Sequence, residues 1–171
     1  EISMTKDITL VTTEVNQKTR DVIKNVLEPL SRVSFLQDSV DRRQDLSEAT
    51  VLMSFFFNRE VLPDEYVLLN KTSLLQTIST GVDYLPFRAI PDHILIACNA
   101  GGWAYQIAEH SVAFALALYK RLVPNHQDLA RGHFSRTSFL LRNLKGKTLG
   151  VVGFGGIGKH ASRMMKCLGM K

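Results

Sequence analysis

Short apolar runs alternate along this chain with amphipathic stretches, the pattern that βαβ units leave when strands lie side by side in a parallel sheet. Ile8 to Val11 form the first such run. Val22, Ile23, Val26 and Leu27 then recur at helical spacing and stop before Pro29, which predicts a helix over Gln17 to Glu28 covering one sheet face. Val33 to Leu36 predict a second strand, and Thr50 to Phe55 form a continuous run of the kind buried on both faces. Pro63 opens a short helix, Leu74 to Ile78 give another strand, and Gly81 breaks it. Pro86 and Pro91 punctuate the connection to a strand over Ile94 to Cys98. Residues 1–99 therefore predict a small doubly wound sheet that makes one domain.

The character changes after Gly101 and Gly102. Ile107, Ala108, Ser111, Ala115 and Leu118 fall on a helix of about five turns that ends before Pro124 and bridges into a second domain, residues 100–171. His126 to Asn143 mix basic and polar residues with little periodicity, which reads as an irregular connection or a short helix plus loop. Near the end, an apolar run over Leu149 to Val152 predicts a strand, and His160 to Leu168 an amphipathic helix. No internal repeat or low-complexity tract interrupts this order.

Composition narrows the class without naming a function. With 171 residues, 45% hydrophobic and 22% charged, the chain carries enough apolar surface to bury a real core. Its longest apolar runs, such as Val112 to Tyr119, stop well short of the roughly 20 residues of a membrane span. Glu1 to Arg20 contain no basic segment followed by an apolar core, so no secretory signal is read there. Cys98 and Cys167 lack metal-ligand spacing and read as small apolar residues in a reducing, cytoplasmic compartment, with no metal site. The net charge of +5 comes from scattered Lys and Arg without interleaved aromatics, which argues for a solvated basic surface and against nucleic acid. A positive cleft would still draw an anionic dinucleotide and an anionic acid.

The segment that carries chemistry runs from Lys147 to Lys159. Gly153, Gly155 and Gly158 stand at GxGxxG spacing, with Phe154, Gly156 and Ile157 completing the loop, directly after one apolar run and before an amphipathic one. In such a loop the first glycine permits the tight turn, the second lets backbone approach a pyrophosphate, and the third allows helix and strand to pack closely. The pyrophosphate would rest on free N–H groups at the helix N-terminus. Glycine-rich turns also serve packing alone, but this context favours dinucleotide binding. Lys159 reads as a solvated helix-face residue.

These residues resemble the D-isomer-specific 2-hydroxyacid dehydrogenases, the family of phosphoglycerate dehydrogenase and glyoxylate reductase. Ser79-Thr-Gly-Val-Asp83 is similar to the family's substrate loop. Asn99-Ala-Gly-Gly followed by Ile107-Ala-Glu-His110 is similar to the turn opening its interdomain helix, and Leu144-x-Gly-Lys-Thr-Leu-Gly leads into the glycines as it does there. The resemblance covers about Leu74 to Met170. It implies a flavodoxin-like N-terminal substrate domain followed by the start of a Rossmann NAD(P)-binding domain. It further implies hydride transfer between NAD or NADP and a small 2-oxo or 2-hydroxy acid, in a homodimer that uses the helix Tyr105 to Tyr119.

By the same resemblance the backbone N–H groups of Thr80, Gly81 and Val82 would hold the substrate carboxylate, against the plainer reading of a type II or left-handed turn. Asp83 would cap the following turn. Glu109 and His110 read as helix residues and not catalysts, His93, His126, His133 and His160 have no visible partner, and Trp103 and Tyr105 would line the cleft or simply pack. The family's arginine, glutamate and histidine that polarise the carbonyl and relay protons lie beyond the glycine loop, as does the acidic residue that reads the ribose, about 20 residues on. No catalytic residue is therefore assigned in this chain, which is expected to be the N-terminal part of a longer enzyme and inactive alone. A non-enzymatic NAD(H)-responsive scaffold or corepressor is the alternative, since one fold supports many functions. An S-adenosylhomocysteine hydrolase-like enzyme is a further reading, disfavoured by the short first domain and the Ser79 to Asp83 loop.

Overall fold

An extended segment must hand its backbone hydrogen bonds to a neighbour, and in this protein five short segments take them from one another. The computed structural model describes residues 7–134 and 141–171, and the chain divides into two units, Glu1–Ala100 and Gly101–Lys171. In the first unit β1 (Ile8–Val11), β2 (Arg32–Phe35), β3 (Val51–Ser54), β4 (Leu74–Thr77) and β5 (Leu95–Ala97) form one sheet in the order β2-β1-β3-β4-β5. Every pairing is parallel, as the alternating pattern predicts for an α/β fold.

Register decides what the two faces bury. Leu10 lies beside Leu52 and Leu52 beside Leu75, while Val11 lies beside Phe35 and Met53. Successive side chains point to opposite faces, so the first row joins Phe57, Leu69 and Ile94 in one core and the second joins Ile23 in another. α1 (Gln17–Leu27) covers the second core; Asn16 caps it by accepting from Thr19 N–H at 3.0 Å.

On the other face lie α2 (Arg42–Glu48), α3 (Phe57–Glu60) and a 3-10 helix, Pro63–Lys71, where the sequence predicts a short helix. α2 and α3 are not foreseen. Seven and four residues, each burying one apolar side chain, Leu46 and Phe57, are too short to display a period. Leu36, read as the end of the second strand, instead starts a 3-10 turn and turns into the opposite core. Arg42 and Glu65 tie α2 to the long 3-10 helix at 2.6 and 2.9 Å, and Glu65 also accepts the Leu62 N–H at 2.8 Å. The Arg42 guanidinium holds the Glu65 carboxyl below the usual carboxylate range against the opposing effect of burial.

The second unit packs α4 (Ala104–Tyr119) against α6 (Gly156–Cys167), with α5 (Leu122–Ala130) following α4. Buried Ala104 and Ala108 keep the α4 surface small where a Cβ on Gly156 would come within 3.2 Å of Ala104. α4 ends before Pro124, as expected, but Pro124 is not what stops it. Arg121 adopts a left-handed conformation (φ 50°), breaks the chain direction, and Pro124 then sits in the first turn of α5, where its missing N–H costs nothing. The stretch His126 to Asn143, expected to be an irregular connection or a short helix plus loop, is helical as far as Ala130; its residues 135–140 lie outside the described part.

The predicted strand over Leu149 to Val152 is not formed. Strands exist by pairing, and among the described residues this segment has one short partner: Leu149 N–H donates to the Lys171 carbonyl and Lys171 N–H to the Lys147 carbonyl, both at 2.8 Å. These two bonds set Thr148 and Lys171 side by side in the pattern of a parallel ladder. Beyond them Val152 is fully exposed.

Candidate functional site

The glycine loop gives each of its glycines a different task. Gly153 takes φ 87°, a conformation that L side chains rarely adopt, and so turns the chain. Gly158 lies inside α6, where a Cβ would collide with the Gly153 carbonyl oxygen and come within 3.2 Å of Val151 Cγ1. Gly155 differs from both: φ is −84°, open to any residue, and a Cβ there would meet nothing within 4 Å. The space over Gly155 is thus vacant without the backbone requiring a glycine.

Gly155 is also the N-cap of α6. Lys159 N–H donates to its carbonyl at 3.0 Å, the first bond of the helix, so the N–H groups of Gly156, Ile157 and Gly158 precede the ladder. No acidic residue occupies the first turn and Lys166 stands in the last, so the helix dipole is compensated by its own side chains only at the C-terminal end. Phe154 is exposed beside an open cavity of about 480 Å³ lined also by Leu149, Val151, Ser162 and Lys166. Lys159 is solvated, as expected.

The loop after β4 is built differently. Gly81 does not have positive φ, and its Cβ position is open apart from Asp83 Oδ2 at 3.8 Å, so no left-handed turn explains it. Among the described residues, no acceptor takes the N–H groups of Thr80, Gly81 and Val82. Side chains hold the loop instead. Thr80 Oγ1 donates to the Asn99 carbonyl at 3.0 Å, Ser79 Oγ to the Gly81 carbonyl at 3.0 Å, and Ser79 Oγ lies 2.7 Å from Tyr84 Oη. Asp83 caps nothing: the turn closes through Leu85 N–H to the Val82 carbonyl at 2.9 Å, and the carboxylate stays exposed. Sequence reasoning passes over Tyr84, whose only signal is its place directly after the loop.

The remaining candidates are placed plainly. His160, read as lacking a partner, meets Tyr105 edge-on at 5.6 Å, and His110 packs on Phe114 at 4.2 Å, while Glu109 and Trp103 are exposed. Cys98 and Cys167 are both free thiols. Among the described residues no group of His, Cys, Asp and Glu has the geometry to hold a metal, and no helix is long and apolar enough to cross a membrane.

Residues 112–171 match the family described as D-isomer specific 2-hydroxyacid dehydrogenase, NAD binding domain. Over these residues the chain is similar to the D-isomer specific 2-hydroxyacid dehydrogenases. It is 26% identical to D-3-phosphoglycerate dehydrogenase of Archaeoglobus fulgidus over 163 residues, covering 94% of this chain and 30% of that one. A glycerate dehydrogenase related protein from Thermoplasma acidophilum aligns at 28% identity and a TM-score of 0.68, over 96% of this chain and 52% of that chain. A D-isomer specific 2-hydroxyacid dehydrogenase family protein from Aeromonas salmonicida shares the fold at a TM-score of 0.80 and 23% identity, over 97% of this chain and 52% of that one. The chain therefore spans about a third of the dehydrogenase it matches in sequence and about half of each solved relative.

Proposed function

We propose that this chain belongs to an NAD(P)-dependent 2-hydroxyacid dehydrogenase or reductase, in which Gly153 to Gly158 hold the dinucleotide and Thr80, Gly81 and Val82 hold the carboxylate of a small 2-oxo or 2-hydroxy acid. The observation that carries it is the division of labour among the glycines, since Gly155 leaves room that the fold does not use, over the free N–H groups that open α6. A pyrophosphate there would accept from Gly156, Ile157 and Gly158 and lie at the positive end of the helix dipole. The bound nicotinamide supplies the hydride. The chain's own residues bind and orient: three free N–H groups on a loop anchored by Thr80 and Ser79 fix one end of an acid, so that its carbonyl carbon has one available pose.

In this reading residues 1–99 are the substrate domain and 100–171 open the dinucleotide-binding domain. The order β2-β1-β3-β4-β5 supports a flavodoxin-like first domain, and the parallel pairing of Thr148 with Lys171 across α6 supports a Rossmann-type start to the second. Exposed Ile107, Phe114 and Leu118 along α4 support a homodimer. The free thiols suit a cytoplasmic setting, which cell fractionation tests. A non-enzymatic scaffold gains no support, because the relatives carry dehydrogenase names.

The test uses the full-length protein. Calorimetric titration with NADH and NADPH reads the cofactor site, and loss of the reduced nicotinamide absorbance against a panel of 2-oxo acids reads the activity. Tight binding of either dinucleotide with turnover of at least one 2-oxo acid is expected; absence of both overturns the proposal.

A further inference from the structure

The hydroxyls that end β1 and β3 converge on one carboxylate. Glu60 accepts from Thr12 Oγ1 at 2.7 Å, Thr13 Oγ1 at 2.9 Å and Ser54 Oγ at 2.6 Å, and from the Phe56 N–H at 2.9 Å. The segment after β3 is thereby tied to the tips of two central strands. Its Phe55 carbonyl accepts the Tyr84 hydroxyl at 2.7 Å, and the Tyr84 ring meets Phe56 edge-on at 5.6 Å.

Two hydroxyl protons serve three contacts at the next link. Tyr84 Oη donates to the Phe55 carbonyl, Ser79 Oγ donates to the Gly81 carbonyl at 3.0 Å, and the two hydroxyls lie 2.7 Å apart, a contact in which either can be the donor. A peptide unit is planar and trans, so whatever turns the Gly81 carbonyl turns the Val82 N–H to the opposite side. Thr80, anchored on the Asn99 carbonyl, holds the loop from its other flank. Gly81 is an exposed residue, where water can satisfy a carbonyl, so the Ser79 contact is not one that burial demands.

We infer that Tyr84 and Ser79 are positioning residues, which through the Gly81 carbonyl aim the Val82 N–H at the carboxylate of a 2-oxo acid, with Glu60 anchoring the chain of hydrogen bonds at the strand ends. The inference rests on the proposed function for its ligand. It separates two jobs within one loop: Thr80, Gly81 and Val82 touch the anion, and Tyr84 sets their direction without touching it.

Tyr84→Phe in the full-length protein keeps the ring against Phe56 and deletes only the hydroxyl. KM for a 2-oxo acid that the wild type reduces should rise roughly tenfold, equivalent to about 1.4 kcal/mol, with kcat altered less than about threefold and the NADH dissociation constant unchanged. Backbone 15N order parameters at residues 80–82 should fall from about 0.85 to below about 0.6 while the melting temperature holds. Ser79→Ala should reproduce both effects, and the double variant should be no worse than the weaker-binding single one. If Tyr84→Phe does not fold, Ser79→Ala decides by the same readouts. An active wild type whose variants keep the wild-type KM and loop order overturns this inference alone. A wild type that reduces no 2-oxo acid overturns the proposed function and the carboxylate role of the loop with it.

Discussion

Replacing Gly155 with aspartate should make the protein no less stable and unable to bind a dinucleotide, a combination that only a ligand-facing glycine allows. Gly155 has φ −84° and caps α6 with no side chain, and a Cβ there meets nothing within 4 Å. Aspartate is better than glycine as an N-cap by only a few tenths of a kcal/mol, and its charge at a helix N-terminus adds roughly 0.3–1 kcal/mol. Removing a glycine also restricts the unfolded chain, for a further gain of about 0.4–1 kcal/mol. In a chain of this size each kcal/mol moves the melting temperature by about 2–4 °C, so a rise of a few degrees is expected. The same carboxylate would occupy the place of the pyrophosphate and repel it, so calorimetry should show NADH affinity reduced at least about a hundredfold, or some 2.7 kcal/mol. Gly158→Ala provides the contrast. Its methyl would strike the Gly153 carbonyl and crowd Val151, costing about 1–3 kcal/mol, of which up to about 1 kcal/mol is recovered as helix propensity. Unchanged NADH affinity in folded Gly155→Asp would refute the dinucleotide assignment. A melting temperature lowered by more than a few degrees would refute the vacancy over Gly155.

Other expectations address the first unit and the assembly. Gly81→Val should lower kcat/KM towards a 2-oxo acid at least tenfold, about 1.4 kcal/mol, while NADH affinity survives, because the crowding is confined to the loop after β4; full activity in the folded variant would remove that loop from substrate binding. Glu65, held below its unfolded pKa by Arg42, adds stability above about pH 4.5 that is lost as pH falls through its folded value, so chemical denaturation should show the midpoint declining into acid. Arg42→Ala should cost about 1–3 kcal/mol at pH 7, discounted for the partly exposed guanidinium, and less in acid, where a protonated Glu65 no longer needs its partner. Leu118→Asp, on the exposed apolar side of α4, should turn a light-scattering dimer into a monomer; a wild-type protein that already scatters as a monomer would sink the dimer proposal.

The first unit was legible where the sequence carried a local signal. Apolar runs located all five strands of the sheet to within a residue or so, and the Asn16 cap fits the start predicted for α1. What failed was non-local. Leu149 to Val152 has the composition of a strand, yet pairing is a property of two segments, and among the described residues only Lys171 pairs with that stretch. Pro124 carries the same ambiguity at the level of a turn, since proline both follows helices and opens them, and the left-handed Arg121 decided it. α2 escaped because one buried leucine in seven residues has no period.

At the candidate site, spacing pointed to the loop and said nothing of how its glycines differ. Gly153, Gly155 and Gly158 are one letter in the sequence, but one answers to a dihedral angle, one to an empty volume and one to a neighbouring carbonyl. Tyr84 was invisible for the converse reason: its hydroxyl matters through Phe55 and Ser79, and the first of these lies 29 positions away. A motif therefore indicates where backbone is exposed to a ligand, while the groups that aim that backbone come from whichever strands the fold happens to set beside it. For the loop after β4 those strands are β1 and β3, reached through Glu60, so variation at Thr12, Thr13 or Ser54 should alter the loop's aim without changing any residue that touches the acid.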